Sequence, residues 1–219
     1  MLTLISIWEK NRGTMNTKNK GPFKTNGTII LASGSPRRRE LLADLGLDFE
    51  VHPSSAEEPA PSPDEAPMDY VKRMAEMKTL DIAVHFADKP VLGADTIVVL
   101  DGRIMGKPKD SDDALEMLTT LSGRTHQVIT GFCLSLPGGE TTMKAISTDV
   151  EMRISSEAEL KGYIETGEPM DKAGAYAIQG IGTFLVIGIQ GSYTNVVGLP
   201  VARVLDTLIE TKIVTARID

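Results

Sequence analysis

Three consecutive arginines, Arg37–Arg39, stand where a helix is predicted to begin. Ser35 is a favourable N-cap residue and Pro36 suits the first helical position, so the arginines fall in the first turn. Cations in that turn oppose the helix dipole, each by roughly 0.3–1 kcal/mol when exposed. A bound anion would reverse this effect, because the arginines and the free backbone N–H groups would then act together. The stretch therefore predicts a phosphate site, with three solvated surface arginines as the alternative.

Two carboxylates lie where a metal-assisted reaction could use them. Asp95 stands in the apolar run from Pro90 to Leu100, which is typical of a central strand. A charge in such a run is costly unless it is paired, bound to a metal or open to a cleft. Glu58 follows Glu57 in a loop rich in proline and serine, and hard cations such as Mg²⁺ prefer carboxylate oxygens. The alternatives are an Asp95 that faces water at a strand edge and a solvated carboxylate pair in the loop.

Two lysines extend the set of charged candidates. Lys78 interrupts the apolar stripe of a helix predicted over residues 69–85, so it either snorkels to water or holds a partner charge. Lys107 follows Gly106, where the chain leaves the predicted sheet. Cations that hold phosphates, carboxylates that hold Mg²⁺ and an acid that orients water together suit a metal-dependent reaction on a polyphosphate. The chain has no phosphate-binding loop, no dinucleotide fingerprint and no nucleophile elbow.

The composition narrows the class of protein. The chain has 219 residues, is 41% hydrophobic and carries a net charge of −7, which disfavours non-specific binding to nucleic acid. A polyanion site therefore requires a local concentration of positive charge. The single cysteine excludes an internal disulfide and predicts a cytoplasmic location, and no stretch is long enough to span a membrane.

The predicted elements alternate between strands and helices over most of the chain. Residues 1–27 are predicted to be a poorly ordered N-terminal extension and residues 28–219 a single domain. Glycines at 180 and 182 indicate backbone that must approach another group closely, as does Gly93. The stretch Gly191–Asn195 is predicted to be a polar turn.

Five motifs, in order between about residue 28 and residue 210, closely resemble the Maf family of nucleoside triphosphate pyrophosphatases. The motifs are Ser33–Arg38 with Leu41 and Leu42, Gly93–Thr96, Gly106–Pro108, Asp171–Tyr176 with Gln179 and Gly180, and Gly191–Tyr193 with Gly198–Pro200. The resemblance implies an α/β fold of the Maf and ITPase-like type, with a curved mixed β-sheet flanked by helices and two lobes around a central cleft. It also implies hydrolysis of a nucleoside triphosphate to the monophosphate and pyrophosphate, with Mg²⁺ or Mn²⁺ as cofactor.

The resemblance further implies roles for residues that match the family motifs. Ser33, Arg37, Arg38, Lys78 and Lys107 would contact phosphates. Glu58 and Asp95 would bind the metal, with Asp95 favoured as the general base. The expected partner is the nucleotide substrate, with neither nucleic acid nor membrane, and the family suggests a homodimer.

The residue after the central acid distinguishes two branches of the family. Thr96, together with Arg38 and Gln179, looks like the branch that acts on dTTP and UTP, whereas the 7-methyl-GTP branch usually carries glutamine after that acid. The amide of Gln179 can both donate and accept a hydrogen bond, which suits a uracil or thymine edge. Two alternatives stay open: a pyrophosphatase for 7-methyl-GTP or another modified nucleotide, and a nucleotide-binding regulator of septum formation.

Overall fold

A mixed seven-stranded sheet with helices on both faces forms the body of the protein, in a computed structural model that describes residues 21–218. The strands are β1 (Phe23–Thr25), β2 (Ile29–Leu31), β3 (Phe49–Val51), β4 (Val91–Leu100), β5 (Arg103–Met105), β6 (Thr125–Ser135), β7 (Thr141–Met152), β8 (Val186–Gln190) and β9 (Val214–Ala216). The α-helices are α1 (Pro36–Asp44), α2 (Pro67–Ala83), α3 (Ser111–Leu121), α4 (Glu157–Glu165), α5 (Tyr193–Val197) and α6 (Val201–Glu210). Short 3₁₀ segments cover Glu168–Asp171, Ala173–Ala175 and Gly180–Leu185. The predicted fold class, a mixed sheet flanked by helices, is confirmed.

The strand order is β3-β2-β4-β6-β7-β8, with β5 beside β4 and with β1 and β9 forming a separate pair. Strand β4 is antiparallel to β6 from Val91 to Val99. On its other edge it pairs with β2 only through Val91 and Leu92, and with β5 only from Val98 to Leu100. Residues 93–97 therefore have no strand partner on that edge among the described residues. We call this opening the β4 gap.

One face of the sheet is covered by α2, which packs closely because two strand positions carry no side chain. A Cβ at Gly93 would lie 2.3 Å from Thr79 Oγ1, and one at Gly131 would lie 2.6 Å from the Val71 carbonyl oxygen. The close approach predicted at Gly93 is therefore confirmed. Even an alanine at either position would push the helix away from the sheet.

The opposite face carries two separate core clusters. The first packs Leu42 of α1 and Leu208 of α6 against Leu92 of β4. The second packs Leu118 of α3 and Leu160 of α4 against the other end of β4. The two clusters lie on either side of the β4 gap, and each is the core of one lobe. The two lobes leave a cleft between them at the middle of β4.

Local signals in the sequence account for several helix ends. Ser35 and Pro36 begin α1, although the Ser35 side chain makes no capping hydrogen bond, and Ser156 with Glu159 forms a capping box at α4. The turn predicted at Gly191–Asn195 is wrong in part, because Ser192 caps the short helix α5 there. None of the helices in residues 21–218 is long and apolar enough to cross a membrane.

The predicted N-terminal extension is only partly described. Residues 1–20 lie outside the described residues. Within residues 21–27, Phe23–Thr25 form β1 and pair with Val214–Ala216, which differs from the expectation of a poorly ordered segment. No local pattern predicts this pairing, because the partner strand lies about 190 residues further along the chain.

Candidate active site

A cleft of about 630 Å³ opens at the β4 gap, and all nine residues selected from the sequence line it. They are Ser33, Arg37, Arg38, Glu58, Lys78, Asp95, Thr96, Lys107 and Gln179. They come from the turn before α1, the first turn of α1, the loop before α2, α2 itself, the middle of β4, the segment after β5 and the segment before the last 3₁₀ turn. The fold therefore brings together residues that are far apart in the chain.

The lining of the cleft is positively charged although the chain is acidic. Five of the lining side chains are cations and three are carboxylates, whereas the whole chain has a net charge of −7. The cations are Arg37, Arg38, Lys78, Lys107 and Lys172. Such a local excess attracts a polyanion and disfavours free cations.

Lys78 lies between the two candidate metal-binding carboxylates. Its Nζ is 2.7 Å from Asp95 Oδ1 and 2.8 Å from Glu58 Oε1. Asp95 is only 8% exposed, and a buried carboxylate requires a partner of opposite charge. Lys78 is that partner. Burial alone would raise the pKa of Glu58, but the hydrogen bond from Lys78 and the charges of nearby cations hold it below its usual value.

Arg38 has a dense set of protein partners around the β4 gap. Its Nη1 donates to Ala94 O at 2.8 Å and to Ser33 Oγ at 3.0 Å. Its Nε donates to Gly198 O at 2.7 Å and its Nη2 to Thr96 Oγ1 at 3.0 Å. A guanidinium has five N–H donors, so one is left for a ligand. Arg38 thus joins α1, β4 and the end of α5, and its predicted phosphate contact stays a prediction.

Thr96 and Gln179, the candidates for base recognition, differ in how much bonding capacity remains. Thr96 Oγ1 accepts from Arg38 and lies 2.9 Å from Thr130 Oγ1. The Thr130 hydroxyl donates to the backbone carbonyl oxygen of Asn195 at 2.9 Å. The half-buried Gln179 side chain makes no hydrogen bond with any residue in the range 21–218. Its amide is therefore the freer group for a ligand.

The turn before α1, the first turn of that helix and the segment after β5 offer a smaller set of donors. Ser33 Oγ accepts from Arg38 and from the Ser35 backbone N–H, which leaves its own proton for a ligand. Arg37 donates from Nε to the Val197 carbonyl at 3.3 Å and otherwise lines the cleft. Lys107 is exposed and also lines the cleft. This arrangement is typical of an anion site at a helix N-terminus.

The sequence matches a known protein family over most of its length. The family model described as "Maf-like protein" matches residues 28–211. The chain belongs to the Maf family. It is 51% identical over 190 residues to a protein of Nitratidesulfovibrio vulgaris named dTTP/UTP pyrophosphatase, covering 86% of this chain and 90% of that protein. It is 46% identical over 197 residues to a protein of the same name from Syntrophotalea carbinolica, covering 89% of each.

A solved structure supports the Maf fold independently of close sequence similarity. The Ham1 protein of Staphylococcus aureus superposes with a TM-score of 0.51 at 14% identity, over 85% of this chain and all of that one. At this level of identity the similarity shows the fold alone. It agrees with the mixed sheet and flanking helices described above.

The cleft of this Maf family member also contains residues for which sequence reasoning gave no role. Asp171 and Lys172 form an ion pair at the lining, and the hydroxyl of Tyr176 lies 2.7 Å from His126 Nε2. Tyr70 also lines the cleft, and burial together with the charges of Asp95 and Glu58 raises its pKa. The segment Asp171–Tyr176 is one of the Maf motifs, but its spacing alone assigns no contact to any member.

A divalent metal fits the carboxylates of the Maf cleft in one specific way. Within residues 21–218 there is no group of three or more His, Cys, Asp or Glu side chains that could hold a metal. Glu58 and Asp95 nevertheless meet at a single ammonium. Mg²⁺ is commonly held by one or two carboxylates plus the phosphates of a substrate. The residues present therefore fit a metal that binds together with a nucleotide.

Proposed function

We propose that this protein hydrolyses dTTP and UTP to the nucleoside monophosphate and pyrophosphate, with a divalent cation. The observation that carries the proposal is the buried Asp95, set with Glu58 and Lys78 in a cleft lined by an excess of cations. Relatives at about half identity over most of their length bear the name dTTP/UTP pyrophosphatase, which supports the choice of substrate.

In this proposal the cations and the N-terminus of α1 hold the triphosphate. Ser33 donates its free hydroxyl proton, and Arg37 and Lys107, which both line the cleft, bind phosphate oxygens. These groups neutralise the charge that accumulates on the leaving pyrophosphate as the anhydride bond breaks. Arg38 contributes mainly by holding Ser33 and the β4 backbone in place.

Asp95 takes the role of general base. Its carboxylate accepts a proton from the water whose oxygen bonds to the scissile phosphorus, and the anhydride oxygen leaves with the bonding electrons as pyrophosphate. When bound, the metal supplies a Lewis acid that withdraws charge from the phosphate oxygens. Lys78 exchanges the two carboxylates for phosphate oxygens, which an ammonium also binds, and so frees Asp95 and Glu58 for their roles.

Base selection is assigned to Gln179, whose amide can pair with the adjacent carbonyl and N–H groups of uracil or thymine. Thr96 supports the site through its hydrogen bond with Arg38.

The homodimer and the cytoplasmic location belong to the proposal as well. Size-exclusion chromatography with light scattering tests the dimer.

A hydrolysis panel tests the proposed function. The purified protein is assayed with dTTP, UTP, CTP, ATP and 7-methyl-GTP, each with Mg²⁺, with Mn²⁺ and with a chelator. We expect monophosphate and pyrophosphate in equal amounts, the highest kcat/KM for dTTP and UTP, and loss of activity with the chelator. A best substrate among ATP and 7-methyl-GTP would reject the pyrimidine specificity, and binding without turnover would favour the regulator.

A further inference from the structure

Both carboxylate oxygens of Glu168 accept hydrogen bonds from the protein, directly beside the segment that carries Gln179. Oε1 accepts from the Ile181 backbone N–H at 2.9 Å. Oε2 accepts from the Gly182 backbone N–H at 2.8 Å and from the Tyr163 hydroxyl at 2.8 Å. Burial alone would raise the pKa of Glu168, but these three hydrogen bonds together with the charge of Lys172 hold it below its usual value. The carboxylate is therefore ionised at neutral pH and acts purely as an acceptor.

The Tyr163 hydroxyl extends the same contact to the other side of Gln179. It accepts from the Ala177 backbone N–H at 3.3 Å while it donates to Glu168. The Tyr163 ring is 2% exposed and packs edge-on against Phe184 with a centroid distance of 5.8 Å. The ring is thus anchored without its hydroxyl. Glu168 and Tyr163, which we call the Gln179 clamp, hold the backbone two residues before Gln179 and two and three residues after it.

The two glycines that the sequence marked for close approach meet the Gln179 clamp. A Cβ at Gly182 would lie 2.5 Å from Tyr163 Oη, and a Cβ at Gly180 would lie 2.2 Å from Glu168 Oε1. Gly180 also has a φ of 76°, a conformation that strains other residues. A side chain at either position would displace the Glu168 carboxylate or the Tyr163 hydroxyl from these contacts. The glycines thus belong to the clamp.

We propose that Glu168 and Tyr163 are positioning residues that set the selectivity for uracil and thymine by fixing Gln179. Neither residue lines the cleft, whereas Ala177, Ile178 and Gln179 do. A terminal amide distinguishes bases only if its oxygen and nitrogen are held in register with the base edge, and a misplacement of about 1 Å can cost about a hundredfold in rate. This inference rests on the proposed function and adds the residues that make Gln179 selective.

The test compares selectivity in matched variants. Glu168→Gln preserves the shape of the side chain but replaces one acceptor oxygen with an NH₂ group. This donor would face the backbone N–H groups of Ile181 and Gly182, which are donors themselves. We expect the ratio of kcat/KM for UTP to kcat/KM for CTP to fall roughly tenfold, the change expected for loss of one hydrogen bond to a charged group. The fall should come mainly from a higher KM for UTP, with kcat little changed. Glu165→Gln, at an exposed position at the end of α4, is the control and should keep the wild-type ratio.

A double-mutant cycle separates positioning from a general loss of folding. In the Gln179→Ala background the ratio is already low, and adding Glu168→Gln should lower it no further. Tyr163→Phe retains the packed ring and removes only the hydroxyl, so it tests the proposal even if Glu168→Gln fails to fold. We expect it to lower the ratio in the same direction.

The outcomes distinguish the inference from the proposed function. If wild type hydrolyses no pyrimidine triphosphate, the proposed function fails. If wild type prefers UTP but Glu168→Gln and Tyr163→Phe lower kcat/KM for UTP and CTP by the same factor, the proposed function survives. The positioning role of the clamp is then overturned.

Discussion

At the scale of single residues, Lys78 and Asp95 form a largely buried ion pair in the cleft. The Lys78 side chain is 16% exposed and that of Asp95 is 11% exposed, so the two charges are largely removed from water. The apolar stripe of α2 by itself suggests that methionine would be tolerated at position 78. The ion pair leads to the opposite expectation, because removing one partner leaves a buried charge uncompensated.

Lys78→Met should therefore lower the free energy of unfolding by about 3 kcal/mol, the low end for a broken buried pair. Mn²⁺ without nucleotide should raise the melting temperature of this variant clearly more than that of wild type, because the two carboxylates are then free to bind it. Thermal unfolding with and without Mn²⁺ measures both effects. Lys107→Met, at an exposed lysine of the same cleft, is the control and should leave the melting temperature unchanged. An equal Mn²⁺ effect in wild type and Lys78→Met would contradict the idea that Lys78 competes with the metal.

Asp95→Asn should fold, bind nucleotide and lose at least about a hundredfold in kcat, the low end for loss of a general base. Asparagine preserves the shape of aspartate but cannot accept the proton of water. Lys78 still has Glu58 as a partner at 2.8 Å, so the fold should be little affected. Steady-state kinetics at saturating Mg²⁺ measures the loss, with the exposed Asp112→Asn as control. A kcat near that of wild type would move the general base to Glu58.

At the scale of secondary-structure elements, Arg38 connects α1 to the edge of β4. Arg38→Lys should lower the free energy of unfolding by roughly 2 kcal/mol, because an ammonium cannot replace a planar fork that makes several hydrogen bonds. It should also lower kcat/KM, since Ser33 and the Ala94 carbonyl lose a common partner. Urea denaturation and kinetics on the same preparations measure both. Arg39→Lys, at the exposed neighbour, should behave like wild type. If Arg38→Lys retains full stability, Arg38 serves the ligand rather than the fold.

The sequence predicts elements whose signals are local. The apolar run before Leu100 predicts β4, and Ser156 with Glu159 predicts the start of α4, because each pattern lies within one element. The partners of Arg38 are not predictable in this way. Gly198 is 160 residues away and Thr96 is 58 residues away, so no spacing in the sequence indicates that they meet.

The same limit applies to the candidate site. Residue type singled out Asp95 and Lys78, because a charge in an apolar setting requires a partner. Their direct contact at 2.7 Å depends on how α2 lies across β4, which the glycines at 93 and 131 permit but do not specify. The hydrogen bonds of Glu168 have no signal in the sequence, because an acid beside a proline in a loop is normally a solvated residue.

At the scale of the whole molecule, the buried His126 couples stability to pH. Burial lowers the pKa of His126 to about 4, with a smaller opposing effect from the charge of Asp149, so the ring is neutral in the folded protein. An unfolded histidine titrates at about 6.5. The unfolded state therefore binds more protons between these values, and stability is lost as the pH falls through this range.

The free energy of unfolding should fall by about 2 kcal/mol between pH 7 and pH 5 through His126, at 1.36 kcal/mol per pH unit below the unfolded pKa. His126→Gln retains a partner for the Tyr176 hydroxyl but does not titrate, so its stability should change less over this range. Urea denaturation at several pH values measures the difference. His85→Gln, at an exposed position, should follow the wild-type curve. Parallel curves for wild type and His126→Gln would show that His126 is not responsible.

The β4 gap has a consequence for the dynamics of the sheet. Along a strand, the N–H and C=O groups of one residue point to the same edge, and successive residues alternate. The Leu92 carbonyl accepts from the Ala32 N–H at 2.8 Å and the Ala94 carbonyl accepts from Arg38, so both face the edge away from β6. The N–H groups of Ala94 and Thr96 consequently point into the gap, whereas that of Asp95 points to β6.

The most central strand of the protein should therefore show two rates of hydrogen–deuterium exchange in alternation. The amides of Asp95 and Ile97, bonded into the ladder with β6, should exchange only on global opening. The amides of Ala94 and Thr96 should exchange much faster in the free protein and slow down when nucleotide fills the cleft. Residue-resolved exchange followed by NMR measures this pattern. Uniformly slow exchange along β4 in the free protein would mean that the sheet is closed there, and that the cleft opens only when its ligand arrives.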